Sequence, residues 1–205
     1  MGFVGLFARA GLRAASLARP LVPLAPRRAV SIVTLGQRRK LDEIVKLDAL
    51  EKEPPEAIAE IWRQFHRDAD ACVGLVLDQA AYTLLSQRLA ESPMYVMPVP
   101  REGGHFVLAM QHQAGGLCFT FLDEYRKNPE AAHPWLFVSL YGDLLESKGT
   151  GLVRGEYMPN LLSKEEASRV LARTLEVYTS DRYDRCYIFN HAPKHYKEEW
   201  VLDEL

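Results

Sequence analysis

Two hydrophobic periods alternate along the chain, and the points where one gives way to the other mark the elements. In LDEIVKLDALEKEPPEAIAEIWRQFHRD, Ile58, Ile61, Trp62 and Phe65 recur at helical spacing behind Pro54-Pro55. Proline suits a first helical turn, so the run predicts an amphipathic helix with a tryptophan anchor. ACVGLVLD then reads as a buried strand, and Asp78 is placed to cap a helix through about Ala90 with Tyr82, Leu85 and Leu89 on one face. MYVMPVP, HFVLAMQH and LCFTFL follow as three runs of strand character separated by REGG and AGG. Phe106, Leu108 and Met110 alternate with Val107, Ala109 and Gln111, and Leu117, Phe119 and Phe121 alternate with Cys118 and Thr120. That is the period of two that strands require.

The Gly103-Gly104 and Gly115-Gly116 pairs sit where hairpins need positive φ. A phosphate cradle would instead place its glycines between a strand and a helix start, with a Lys-Ser/Thr or acidic partner following. Meander turns are the expectation, a binding loop the alternative. Pro98 and Pro100 cannot donate to a ladder, which predicts that MYVMPVP is an edge strand and a place where a partner chain can dock.

Beyond a short helical link, FLDEYRKNPEAAHP, WLFVSLY reads as another buried strand, GDLLESKG as a turn and TGLVRGEY as a further strand. SKEEASRVLARTLEVY is a helix opened by a capping box, Ser163 with Glu166, and lined by Ala167, Val170, Leu171, Thr174, Leu175 and Tyr178. RCYIFN is expected to supply a last strand and KHYKEEWVLDEL a terminal helix. Strands in hairpin-like groups with helices before and after indicate a single α+β domain with a mainly antiparallel sheet of about six strands.

Charge divides the chain. Residues 1–40 hold eight of the 25 Lys and Arg residues and no acid, so residues 41–205 carry 17 basic against 27 acidic side chains, a net of -10. In the leader, Phe3, Phe7, Ala10 and Ala14 share one helical face while Arg9 and Arg13 sit on another, the pattern of a mitochondrial presequence. Arg28-Ala29-Val30-Ser31 resembles a matrix processing site, which places the presequence at 1–30, a short linker at 31–40 and the domain at 41–205. A basic tail that binds acidic surfaces is the alternative. No run approaches the length of a transmembrane helix, so stable membrane insertion is not expected. The ending Leu202-Asp203-Glu204-Leu205 lacks the leading Lys or His of a retrieval signal, and Leu6 disfavours myristoylation.

Candidate chemistry is sparse. Cys72, Cys118 and Cys186 form no Cys-x-x-Cys and are expected as free thiols, two of them in apolar runs. Of His66, His105, His112, His133, His191 and His195, only His191 and His195 have metal-ligand spacing, and Cys186 lacks the partner a zinc site needs. The acidic pairs Asp42-Glu43, Asp123-Glu124 and Glu165-Glu166 fall near predicted helix starts, where the helix dipole accounts for them. No catalytic motif is found, so no enzyme is expected. A domain at -10 without basic patches interleaved with aromatics is not expected to bind nucleic acid.

The segments AIAEIWRQFH, SPMYVMPVPREGGHFVLAMQ, CFTFLDEYRKNPEAAHP, ESKGTGLVRGEYMPNLLSKEEASRVL and VYTSD, in this order, resemble the mitochondrial ATP synthase assembly factors that chaperone the catalytic β subunit. The likeness runs from about Leu41 to the C-terminus and is most specific at Pro98–Gly103 and Lys148–Glu156. It implies a non-enzymatic matrix chaperone without cofactor or metal, monomeric when free, that binds unassembled β subunit until the α subunit displaces it. Such a family also leads one to expect a longer charged segment ahead of the domain than these residues provide. The expected client contacts are the edge strand, with Val96, Pro98 and Arg101, and the charged face of Leu152–Tyr157, with Arg154, Glu156 and Tyr157. Two other readings stay open. One is a matrix protein or enzyme with a small-molecule pocket on the sheet near His105, His112 and Arg154; the other is a permanent subunit of a matrix complex.

Overall fold

The computed structural model describes residues 38–113 and 116–203. The expected presequence, its processing site at Ser31, most of the linker and Gly115 lie outside these residues.

Six strands form one sheet: β1 (Cys72–Asp78), β2 (Met94–Arg101), β3 (Gly104–Gln113), β4 (Gly116–Phe121), β5 (Pro134–Tyr141) and β6 (Thr150–Tyr157). Their order is β1-β6-β5-β4-β3-β2, and every neighbouring pair is antiparallel. The fold is therefore α+β with an antiparallel sheet, as the alternating runs imply. β2 through β6 form a meander, and β1 joins it at the far side. Helix α3 (Gln79–Glu91), behind the short α1 (Leu47–Leu50) and α2 (Pro55–Asp68), links β1 to β2. Its 13 residues give about 20 Å of helix. The two strands it joins are the opposite edges of the sheet, about 24 Å apart at five strand spacings.

The first hairpin turn bears out the glycine reading, whereas Gly116 of the second pair opens β4. Arg101 pairs with Gly104, leaving Glu102 and Gly103 as a two-residue loop in which Gly103 has φ 83°. Leu108 faces Phe121 and Met110 faces Phe119, so the large apolar positions of β3 and β4 share one face. MYVMPVP is the edge strand that its prolines require.

Helices cover both faces. The main core lies between the face bearing Leu108, Met110, Phe119, Val138 and Val153 and the helices α3, α6 (Lys164–Thr179) and α7 (Tyr183–His191). Leu85 and Leu89 of α3 and Val170, Leu171 and Tyr178 of α6 are among its buried members. On the other face, Ile58 and Trp62 of α2 meet Leu41, Leu50, Tyr141, Leu144 and Leu152. Trp62 is anchored by its Nε1–H, which donates to the Val153 carbonyl at 3.1 Å. Both predicted caps form: Asp78 accepts from Ala81 N–H at 2.7 Å, and Ser163 and Glu166 exchange bonds of 3.1 and 2.8 Å. The three acidic pairs fall in the first turns of a 3-10 turn (Leu41–Glu43), of α4 (Leu122–Lys127) and of α6.

Three expectations need correction. RCYIFN is part of α7, not a strand: Tyr183, Cys186 and Phe189 are buried at a spacing of three, and a short apolar run is ambiguous until packing decides it. GDLLESKG holds a short helix, α5 (Leu145–Lys148), closed by Gly149 at φ 62°. The terminal helix is two short pieces, a 3-10 turn (Pro193–His195) and α8 (Glu199–Leu202).

Candidate functional site

The two apolar stripes of α2 part company. Ile58 and Trp62 are fully buried, whereas Ile61 and Phe65, one turn apart, are 43% and 40% exposed. The sequence pattern placed all four on one face. Only part of that stripe is covered by the sheet and its neighbours, and an apolar pair is left facing solvent.

Beneath Phe65 lies a covered ionic cluster. β6 turns Leu152, Arg154 and Glu156 toward α2, and Gly74 of β1 stands opposite Arg154 in the register. A Cβ at Gly74 would meet His66 Cγ at 2.5 Å, so glycine is what lets α2 settle this close to β1. Arg154 is only 6% exposed; its Nη1 lies 3.0 Å from His66 Nε2 and its Nη2 donates to Glu156 Oε1 at 3.1 Å. His66 Nδ1 lies 2.8 Å from the Trp62 carbonyl, so that nitrogen carries the proton and Nε2 is the acceptor for the guanidinium. Burial, aided by the Arg154 and Lys164 cations and opposed by the Trp62 carbonyl, lowers the His66 pKa to about 4. The ring is thus neutral at ordinary pH. The guanidinium of Arg154 also sits 5.9 Å from the Phe65 ring centre.

Two further cations fasten this face. Arg39 Nη2 donates to Glu156 Oε1 at 3.0 Å while Tyr141 donates its hydroxyl to the Arg39 carbonyl at 3.0 Å, tying the entering chain to the sheet. Lys164 at the start of α6 donates to the carbonyls of His66, Arg67 and Ala69 at 2.8, 2.9 and 2.9 Å, which closes the C-terminal end of α2. Neither His66 nor Lys164 was singled out from sequence. The only hint was a lysine three residues before Ala167 at a helix start, where a cation is unusual.

The six residues expected to contact a client are not brought together. Val96 and Pro98 are buried in β2, and Tyr157 is buried at the end of β6. β2 and β6 are separated by three strands, about 19 Å along the sheet. Arg154 and Glu156 share a side, yet Arg154 lies under α2 rather than on an open charged face. Arg101 is held in a forked pair: Nε and Nη2 donate to the two Glu166 oxygens at 2.6 and 2.9 Å, and Nη2 also donates to the Leu161 carbonyl at 2.5 Å. Burial alone would raise the Glu166 carboxyl, but the bonds from Arg101 and Ser163 bring it below the usual carboxylate range.

Nor do His105, His112 and Arg154 converge on a pocket. His105 and His112 pair with Pro100 and Leu117 at opposite ends of β3, while Arg154 lies on β6. Two clefts among the described residues, about 390 and 210 Å³, lie elsewhere: around Arg38–Lys40 and Asp143, and between α2, β1 and α6. His191 of the considered metal pair meets the Glu91 carbonyl at 3.0 Å and stacks near Tyr187.

Together these features define an α+β domain in which an apolar pair and a sheet edge, rather than a deep pocket, face outward. The chain belongs to the ATP11 protein family, whose model matches residues 34–188. It is 27% identical over 170 residues to a human protein named ATP synthase mitochondrial F1 complex assembly factor 1, and 26% identical over 170 residues to the mouse protein of that name. Each match takes in 82% of this chain and 52% of the relative, so the chain spans about half the length of the curated relatives it matches.

Proposed function

We propose that the chain is a non-catalytic assembly factor for the catalytic head of mitochondrial ATP synthase. In this reading it works in the matrix, covers the unassembled β subunit and leaves when the α subunit takes the same surface. Family membership over residues 34–188 carries the proposal, and the name shared by the human and mouse relatives supports it. The basic, acid-free leader of residues 1–40 supports the compartment.

The physical logic is mass action. An unpartnered subunit exposes apolar interface and aggregates unless something covers it. A competitor of higher affinity for that interface releases the cover without ATP. On this chain the exposed Ile61–Phe65 pair is the apolar contact of the right kind, braced from below by Trp62, whose ring centre is 6.5 Å from that of Phe65.

The test is the aggregation of purified F1 β subunit under mild heat, with and without this chain, followed by addition of α subunit. Suppression reversed by α subunit is the expected result. Ile61→Ser with Phe65→Ser should abolish most of the suppression, read below the somewhat lowered unfolding midpoint that loss of the Phe65 contacts with Trp62 and His66 entails. No suppression at several-fold excess would remove the proposal.

A further inference from the structure

The two edges of the sheet are finished in opposite ways. At β2, Met94 N–H donates to Asn190 Oδ1 at 3.0 Å and Asn190 Nδ2 donates back to the Met94 carbonyl at 2.7 Å, so a side chain of α7 occupies the outward groups of Met94. Backbone direction alternates along a strand, which turns Val96, Pro98 and Pro100 outward as well. Two of those three residues have no N–H to offer. At β1, Tyr157 N–H donates to the Ala71 carbonyl at 3.1 Å, so the odd-numbered residues face β6 and Cys72, Gly74 and Val76 face outward. Among the described residues, nothing hydrogen-bonds the outward backbone of Gly74 or Val76. β1 contains no proline. An open edge of this kind is normally blunted or used.

The surroundings say what fits. The cleft of about 210 Å³ beside this edge is walled by Gly74 and Leu75 of β1, by Arg63 and Arg67 of α2 and by Lys164 of α6, with no acidic side chain in the wall. Lys164 is fixed by its three carbonyl partners. Among the described residues Arg63 pairs with the exposed Glu60 at 3.7 Å and Arg67 donates to Gln64, so both guanidiniums can turn to a carboxylate. In a region of net charge -10 this strip is locally cationic.

We propose that the β1 edge takes an extended acidic segment of the client β subunit as a seventh strand, with main-chain bonds to Gly74 and Val76 and carboxylates on Arg63 and Arg67. The identity of the client rests on the assembly reading above; the site rests on the edge itself.

Amide hydrogen exchange on the full chain mixed with purified F1 β subunit reads the site directly, and protection is expected to rise at Gly74 and Val76. Val76→Pro deletes an outward donor and leaves the β1–β6 ladder intact, as Pro98 and Pro100 do at the other edge. It should weaken binding up to about tenfold, the scale of one lost hydrogen bond. Should that variant fail to fold, Arg63→Glu with Arg67→Glu, both at the surface, carries the same expected loss. Equal binding by the wild type and a folded variant, with no added protection at β1, overturns the edge site and leaves the assembly reading standing. No binding by the wild type overturns both.

Discussion

Arg154 Nη1 stands 3.0 Å from Nε2 of His66, a buried cation facing a neutral ring across the contact between β6 and α2. The bond exists only while Nε2 is bare, so proton uptake by His66 both removes an acceptor and sets two cations against each other.

This gives a pH dependence with a definite sign. The folded-state pKa of His66, about 4, lies below its unfolded value of 6.5, so between these limits the unfolded chain holds a proton that the folded chain lacks. Stability is complete above pH 6.5 and declines as pH falls, by about 3 kcal/mol at pH 4. Urea unfolding at pH 7, 5 and 4 should show that loss on top of the carboxylate contribution. His66→Gln, which can still accept from Arg154, should show only the latter. An identical slope in the two proteins would rule out His66 as its source.

Arg101, a client contact in the sequence reading, is engaged within the fold itself. Its fork on Glu166 joins the sheet edge to α6, and its guanidinium lies 4.5 Å from the Phe106 ring centre. Arg101→Ala should cost about 1 kcal/mol, a modest figure because the arginine is half exposed. Arg101→Lys should recover only part of it, since an ammonium cannot make the fork. A double-mutant cycle with Glu166→Gln measures the coupling, and a cycle that sums to zero would show the pair to be idle.

Ala71 has φ 56°, in the left-handed region, at the turn between α2 and β1. Alanine there carries about 1 kcal/mol of strain that glycine would relieve. Glycine's greater unfolded freedom offsets part of the gain. Ala71→Gly should therefore raise the thermal midpoint slightly, and a lower midpoint would mean that packing of the Ala71 methyl outweighs the strain.

Local signals made much of the fold legible. Ser163 and Glu166 announce their helix because a capping box is a spacing rule, and Pro98 and Pro100 announce an edge because a missing N–H is a property of the residue itself. α7 was misread because CYIF is too short to distinguish period two from period three, and the burial of Cys186 and Phe189 against β2 decided it. The surface was harder to read. A strand arginine looks solvent-facing until a histidine 88 residues earlier in the chain is laid over it. Ile61 and Phe65 look buried until the way α2 seats on the sheet is known. The open β1 edge is written as an absence of proline, which only the opposite edge makes meaningful.

That asymmetry also limits how copies of the chain can associate through their sheets. Endless stacking needs two complementary sticky ends on each unit, and among the described residues Asn190 and the prolines leave just one fully open. Two copies could meet only β1 to β1, about a twofold axis, and such a pair would close on itself with no end left to grow. Such a unit is a chain terminator: it can add its β1 edge to a growing sheet, and it leaves no equally open edge behind.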